Sequence, residues 1–367
     1  MRRPGGRRAW SLAAVLLSVN AACAGYRPVP EFDPGDLQQP HALEGTPLTR
    51  LWRSRPVRGA SAPVAVDAQN AYLGGTDRRV VAVDLQSGKT RWAVRVPGPL
   101  VGGVLESGDV IYAATDQPGG RVHAFRKESG AQLWSTGTGY VQAPLALTEG
   151  KLAVLNRAGE VVGIEVARGK VLWRKRLPSN RVAPFVLDSG VVLVTSFDSL
   201  YSVRLKDGQV TLRRRSPGAV ASPWIRSGGQ LVAGTGDSLV IAVSPDSLRE
   251  LWRVRLDAPL LVSPAAQGDT VYCVTRVGSI YRIVPGSEPV ATQLHGPGWP
   301  ATGTPALVGP WLLAGGADGT LYGFTREDGV QAWKVSLGRP AELAAVLLSD
   351  GSFLAVGGRG DLHRIRQ

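Results

Sequence analysis

A tryptophan recurs through this chain at multiples of about 40 residues, and that spacing constrains the fold more than any other feature. Its clearest statement is VVAVDLQSGKTRW, residues 80–92, in which an apolar strand ends at Asp84, a Ser87-Gly88-Lys89 turn reverses the chain and Trp92 opens the next strand. Trp52, Trp92, Trp134, Trp173, Trp252 and Trp333 fall on the same marker, and Leu212 and Thr292 fill the two empty slots to give eight units. Positions not used to set the register obey it too. Nine residues before the marker stand Val83, Phe125, Ile164, Val203, Val243, Ile283 and Phe324, all apolar. Ten before stand Ala82, Ala124, Gly163, Ser202, Ala242 and Gly323, all small, with Arg282 the exception. Four before, a glycine recurs as Gly88, Gly130, Gly169, Gly208 and Gly329, as a tight hairpin turn needs. A period of this length is the mark of a repeat architecture.

Each unit carries two further strands upstream. The second reads as AYLGGT, VIYAAT, KLAVLN, VVLVTS or QLVAGT, and the first is short and often holds proline, as in SAPVAV, QAPLAL and VAPFVL. Four antiparallel strands per unit, in series, predict an all-β, eight-bladed β-propeller, with the proline-bearing strand innermost beside the channel. The last unit, FLAVGGRGDLHRIRQ, stops after its third strand, and Leu51-Trp52-Arg53 supplies the missing fourth from the N-terminal side. The expected propeller spans residues 47–367, and loss of residues 47–55 is expected to destabilise the whole ring.

Residues 1–22 read as a signal peptide: Arg2, Arg3, Arg7 and Arg8 precede a short apolar run from Trp10 to Val19, followed by Asn20-Ala21-Ala22-Cys23. The run is too short to span a bilayer. Ala22-Cys23 resembles a lipobox in which Cys23 receives the lipid, and cleavage after Ala24 is the alternative. With Ala24 as second mature residue, the lipoprotein reading implies the outer membrane. Residues 23–46, with Pro28, Pro30, Pro34 and Pro40, read as an extended tether. Cys273 is the one other cysteine and sits in the strand-like TVYCV, as a small buried residue.

The phrases VVAVDLQSGKTRW, GEVVGIEVARGKVLW and GTLYGFTREDGVQAWKV resemble the PQQ-type propeller repeat, over roughly residues 50–367. The resemblance implies that Trp52, Trp92, Trp134, Trp173, Trp252 and Trp333 each dock against the neighbouring blade, and that blades four and six, with Leu212 and Thr292, have the weaker interfaces. Two branches of the family matter. Quinoprotein dehydrogenases are longer, with a vicinal cysteine pair and a calcium site; this chain has no Cys-Cys and no insertion. Compact eight-bladed lipoproteins of the outer-membrane β-barrel assembly machinery share its signal, lipid-candidate cysteine and minimal blades. That branch implies a non-catalytic scaffold for an outer-membrane assembly protein or other envelope protein, monomeric within a complex, lipid-anchored on the periplasmic face, without a cofactor. A quinoprotein-like or small-ligand-binding periplasmic propeller is the alternative.

No catalytic constellation emerges from the residues. His123 and His363 share one repeat column, eleven before the marker, where other blades have Val81, Val162, Tyr201, Ile241, Tyr281 and Tyr322. That reads as a structural position. His295 lies in QLHGPGW with nothing paired to it by spacing, and Asp198, Asp237 and Asp318 sit in turns where aspartate is at home. GGADGT and GGRGD precede strands rather than helices, so they are turns and not phosphate cradles. The formal charge is +13, four of it from the arginines of the leader. Export excludes nucleic acid and leaves anionic lipid or an acidic protein as counterpart. The densest basic runs, Trp173-Arg174-Lys175-Arg176 and Leu212-Arg213-Arg214-Arg215, lie on neighbouring blades. Strand alternation selects Arg174, Arg176, Arg213 and Arg215 as a candidate partner-binding stripe, against a solvated edge as the alternative.

Overall fold

The computed structural model of the chain describes residues 27–28, 40–178, 182–338, 345–357 and 359–367. Eight antiparallel sheets follow one another around a ring, each running from an inner first strand to an outer fourth. Blade 1 comprises Ala60–Val66, Asn70–Gly75, Arg79–Asp84 and Thr90–Arg95. Blades 2 to 7 repeat the plan and end in the outer strands Gln132–Gly137, Lys170–Arg176, Val210–Arg215, Glu250–Arg255, Val290–His295 and Gln331–Ser336. Blade 8 joins Val346–Leu347, Phe353–Val356 and Leu362–Arg366 to Thr49–Ser54, paired antiparallel from Thr49↔Arg366 to Ser54↔Leu362. The eight-bladed, all-β fold with an N-terminal closing strand is therefore the fold observed.

The two middle strands of a blade are covered on both faces by neighbouring blades. They accordingly read as continuous apolar runs, as in Leu239–Val243, which is buried at every position. Outer strands are covered from one side only and alternate, as Lys170–Arg176 does. The core is a ring of clusters between blades. One joins Tyr112, Val122 and Ala124 of blade 2 to Leu152, Val162 and Ile164 of blade 3.

The marker tryptophans explain the small and glycine columns. On its own blade each ring lies across from the small residue ten positions earlier: Ala82↔Trp92, Ala124↔Trp134, Gly163↔Trp173, Ala242↔Trp252 and Gly323↔Trp333 are register partners. A Cβ on Gly163 would stand 2.3 Å from Trp173 and one on Gly323 2.2 Å from Trp333. A β-bulge directly follows each of these partners and re-aims the outer strand. On the next blade the ring meets the turn glycine. A Cβ on Gly130 would lie 2.7 Å from Trp92, one on Gly169 2.5 Å from Trp134, and one on Gly208 2.6 Å from Trp173, and all three glycines have φ near +70°. The column needs glycine twice over, for the turn and for the ring.

Four indole N–H groups complete the contact. Trp52, Trp92, Trp134 and Trp173 donate from Nε1 to the carbonyls of Leu85, Lys127, Val166 and Leu205 on the following blade, at 2.7–2.8 Å. Trp252 instead donates to Gln230 Oε1 of its own blade at 2.7 Å. Trp333 Nε1 is buried without a partner among the described residues. Its neighbour, blade 8, has no hairpin between third and fourth strands, because these come from opposite ends of the sequence, so the usual acceptor turn does not exist there.

The two blades without the marker are filled in another way. In blade 5 the turn-glycine position is Leu248, left-handed at φ +52° and 1% exposed, packed in the cluster that also receives Leu212. Trp224, from the connection between blades 4 and 5, joins this cluster and donates to Thr195 Oγ1 at 2.9 Å. Between blades 6 and 7, Leu294 covers Gly329, and Trp299 stacks on Tyr322 with centroids 4.7 Å apart. Both interfaces thus hold a tryptophan from the connecting loop beside the residue that replaces the marker.

Ring closure is reinforced by ions. Arg53 and Arg55 both reach Asp361 Oδ1 at 2.8 Å, and the Asp361 side chain is 5% exposed. Burial works to raise the Asp361 pKa, but the bonds from Arg53 and Arg55 outweigh it and hold the carboxyl below its usual range. Of the stretch read as an extended tether, Arg27–Pro28 pairs with Arg95 and Val94 of blade 1, and His41–Ala42 pairs with Arg50 and Thr49 of blade 8. Each adds a fifth strand to an outer edge, which an unpaired sheet edge readily accepts.

Candidate interaction surface

Arg174 and Arg176 are exposed on the outer strand of blade 3, and Arg213 and Arg215 on that of blade 4. Their neighbours fix which way they point. Arg174 donates from Nη2 to Gly137 O of blade 2 at 2.6 Å and pairs through Nη1 with Glu160 at 2.9 Å. Lys175, on the other face, reaches Gly208 O of blade 4. Arg213 lies over the Tyr201 ring, 5.5 Å from its centroid, whereas Arg214 reaches Ser247 O of blade 5. By alternation Arg174 and Arg176 face blade 2, and Arg213 and Arg215 face blade 3. The four occupy two successive inter-blade furrows rather than one continuous stripe, since equivalent positions on adjacent blades face the same way around the ring. Arg176 and Arg215 have no ion-pair partner among the described residues.

Groups with chemical potential lie elsewhere and are buried. Cys273 is fully buried, which pushes its thiol pKa up and keeps it protonated. His123 and His363 are 2% and 1% exposed. Burial pushes them down to about 4 and about 3, and for His363 the nearby Arg50 and Arg53 add to it. His295 ends the outer strand of blade 6, its ring 4.8 Å from Phe324, rather than lying in the loop. Among the described residues, no three His, Cys, Asp or Glu side chains are grouped as a metal site, and no helix is long and apolar enough to cross a membrane. Cys23 lies outside the described residues.

Two features escaped sequence reasoning. Phe197, in the loop between second and third strands of blade 4, is 73% exposed. An aromatic among otherwise small and polar loop residues, SFDS, was the available signal. A furrow of about 670 Å³ opens between blades 4 and 5, lined by Asp188, Leu212, Arg226 and Asp246. It lies where the marker Trp is replaced, and the furrow between blades 1 and 2, where Trp92 is present, measures about 330 Å³.

A ring of eight four-stranded blades, docked through PQQ-type repeat columns and carrying basic outer strands, defines a PQQ-like β-propeller. The chain belongs to the family described as outer membrane protein assembly factor BamB, whose profile matches residues 47–135, 118–232 and 215–366. It is 32% identical over 151 residues to the protein of that name from Pseudomonas aeruginosa, covering 37% of this chain and 38% of the relative. It is 37% identical over 92 residues to the one from Bordetella pertussis, covering 25% of this chain and 23% of the relative. These alignments thus span well under half of the curated relatives. Among solved structures, BamB from Moraxella catarrhalis superposes with TM-score 0.74 over 87% of this chain and 100% of that one, at 15% identity. The computationally designed Ika8 protein gives 0.69 over 84% and 96%, at 13% identity. Both likenesses show the fold.

Proposed function

We propose that the protein is a non-catalytic envelope lipoprotein that binds protein partners and assists assembly of β-barrel proteins into the outer membrane. The observation that carries this reading is the family match, which runs through all eight blades. The architecture suits the role. Blades locked by interdigitated indoles form a rigid, broad body, and its loops and outer edges are free to present surface while the interior performs no chemistry. Lipidation of Cys23 would hold it at the periplasmic face of the outer membrane, and Arg174, Arg176, Arg213 and Arg215 are the candidate contact for an anionic counterpart.

Crosslinking in native envelopes, followed by affinity capture and mass spectrometry, tests the reading. Recovery of the β-barrel assembly machinery, with lower levels of outer-membrane β-barrels when the gene is deleted, is the expected outcome. Capture without that machinery would overturn the assembly role, and tight retention of pyrroloquinoline quinone and Ca²⁺ with dye-coupled alcohol oxidation would replace it with the quinoprotein reading.

A further inference from the structure

The two ends of the propeller differ in charge. In the last three positions of the eight outer strands stand eleven lysines and arginines and no aspartate or glutamate, six of them on blades 3 and 4. These positions rim the end that carries the blade-to-blade connections, where the described loops add seven carboxylates and six cations, so that this end stays basic in sum. At the opposite end, the loops between first and second and between third and fourth strands hold eleven carboxylates against six cations. The two aromatic side chains among the exposed large hydrophobics, Tyr140 at 37% and Phe197 at 73%, also lie at the basic end. Cations around an exposed aromatic are the composition of a surface that sits among anionic headgroups, with the ring at the polar-apolar boundary.

The chain's own N-terminal side leads to the same end. Arg27 pairs with Arg95, the last residue of the blade 1 outer strand, and Pro28 with Val94. Cys23 is four residues upstream, a reach of at most about 14 Å for extended chain. A lipid on Cys23 would bring the basic end, rather than the acidic one, against the bilayer.

We infer that the basic rim, including Arg95, Arg176, Arg215 and Lys334, docks on anionic phospholipid headgroups, orienting the propeller with its connecting loops toward the membrane. This names the anionic counterpart of the arginines and rests on the envelope reading above. Arg95, Arg176, Arg215 and Lys334 are exposed and make no ion pair among the described residues, so they remain available to phosphate. Phosphates within a Debye length, about 8 Å at physiological salt, feel the rim, and those beyond the far end do not.

The test uses residues 24–367, which contain every described strand but neither the apolar leader nor Cys23. The protein is sedimented with vesicles of phosphatidylcholine alone or with 30 mol% phosphatidylglycerol. Binding should be at least about tenfold stronger to the anionic vesicles, should fall away in 0.5 M NaCl, and should drop by roughly a hundredfold or more in the variant Arg95→Glu, Arg176→Glu, Arg215→Glu, Lys334→Glu, since several basic residues are lost together. The melting temperature of that variant should match the parent, and Phe197→Ser should weaken binding on its own. Equal binding to both vesicles, undiminished binding by the fourfold variant, or capture of an acidic envelope protein by these residues with no vesicle binding would overturn the proposal. Intact mass of the envelope-extracted chain reports the Cys23 lipid separately, so a missing anchor and a non-binding rim are distinguished.

Discussion

Trp52 Nε1 donates to the carbonyl of Leu85 at 2.8 Å, and Arg364 Nη1 reaches the same oxygen at 2.6 Å. Trp52 belongs to the closing strand and Arg364 to its partner from the far end of the sequence. Both halves of blade 8 therefore grip blade 1 at one atom. Replacing Trp52 by Phe keeps most of the packing and removes one N–H, at a cost of about 1 kcal/mol in urea unfolding. Combining it with Arg364→Leu leaves the Leu85 carbonyl without either donor, and the double loss should exceed the sum of the single ones.

Deleting residues 47–55 removes the closing strand itself. The edge Leu362–Arg366 loses its ladder and Asp361 loses both Arg53 and Arg55. The lost burial of Trp52 alone costs about 3–5 kcal/mol, before the lost ladder and ion pairs are added. A single melting transition at much lower temperature, or no cooperative transition, is expected by calorimetry. A melt like the parent's would mean that the ring is not held by this strand.

Leu212 and Leu248 form a matched exception. Where blade 3 presents Trp173, blade 4 has Gly208; where blade 4 presents Leu212, blade 5 has Leu248 at φ +52°. The turn is otherwise the same, Leu248 N–H bonding to Ser244 O as Gly208 N–H bonds to Arg204 O. A left-handed leucine costs about 1–2 kcal/mol, which its burial offsets. Leu212→Trp alone should clash with Leu248 and destabilise, and Leu248→Gly alone should leave a void. The double variant restores the arrangement of the other blades, with a coupling of about 1–3 kcal/mol in a double-mutant cycle.

Trp224 should matter as much as a marker tryptophan. Its indole is 4% exposed and its N–H is bonded to the Thr195 hydroxyl. Trp224→Ala is expected to cost about 3–5 kcal/mol, similar to Trp173→Ala, and Trp224→Phe about 1 kcal/mol. Near-neutral denaturation of Trp224→Ala would support the weaker blade 4–5 interface that the missing marker implies.

The repeat made blade number, strand order and ring closure legible because each blade solves the same packing problem, so the columns of small residues and glycines reappear wherever an indole must fit. Trp299 was not legible as an interface residue, since it sits in a connecting loop outside the repeat register, and Trp224, although it follows Pro223 in the column that holds Val64, Leu145 and Phe185 elsewhere, contributes through geometry that spacing does not encode. Leu248 carried a signal, as the leucine in a glycine column one blade after a missing Trp. The arginines of blades 3 and 4 were visible as dense runs. Their division between two furrows depends on which neighbour each face meets, and that is a property of the ring. The pairing of Arg27–Pro28 with blade 1 had no signal in a proline-rich stretch, because backbone ladder bonds are indifferent to side-chain pattern.

His123 and His363 should make stability fall in mild acid. Their folded pKa values, about 4 and about 3, lie below the ordinary value of 6.5, so the folded protein holds both rings neutral while the unfolded chain takes up protons as pH falls through 6.5. Stability is fully present above that value and is lost progressively down to about pH 4. The slope for each ring is at most about 1.4 kcal/mol per pH unit. His363 has both ring nitrogens, and His123 its Nε2, buried without a hydrogen-bond partner among the described residues, and at His363 the favourable charge of Asp361 is outweighed by burial and by Arg50 and Arg53. Other blades put Val162 or Tyr322 at this column, which makes His123→Val and His363→Tyr sterically reasonable replacements. Each should flatten the urea-unfolding profile between pH 6.5 and 4, and the two together should remove most of the dependence. An unchanged slope in the double variant would assign the acid sensitivity to carboxylates such as Asp361, whose depressed pKa puts its loss at lower pH.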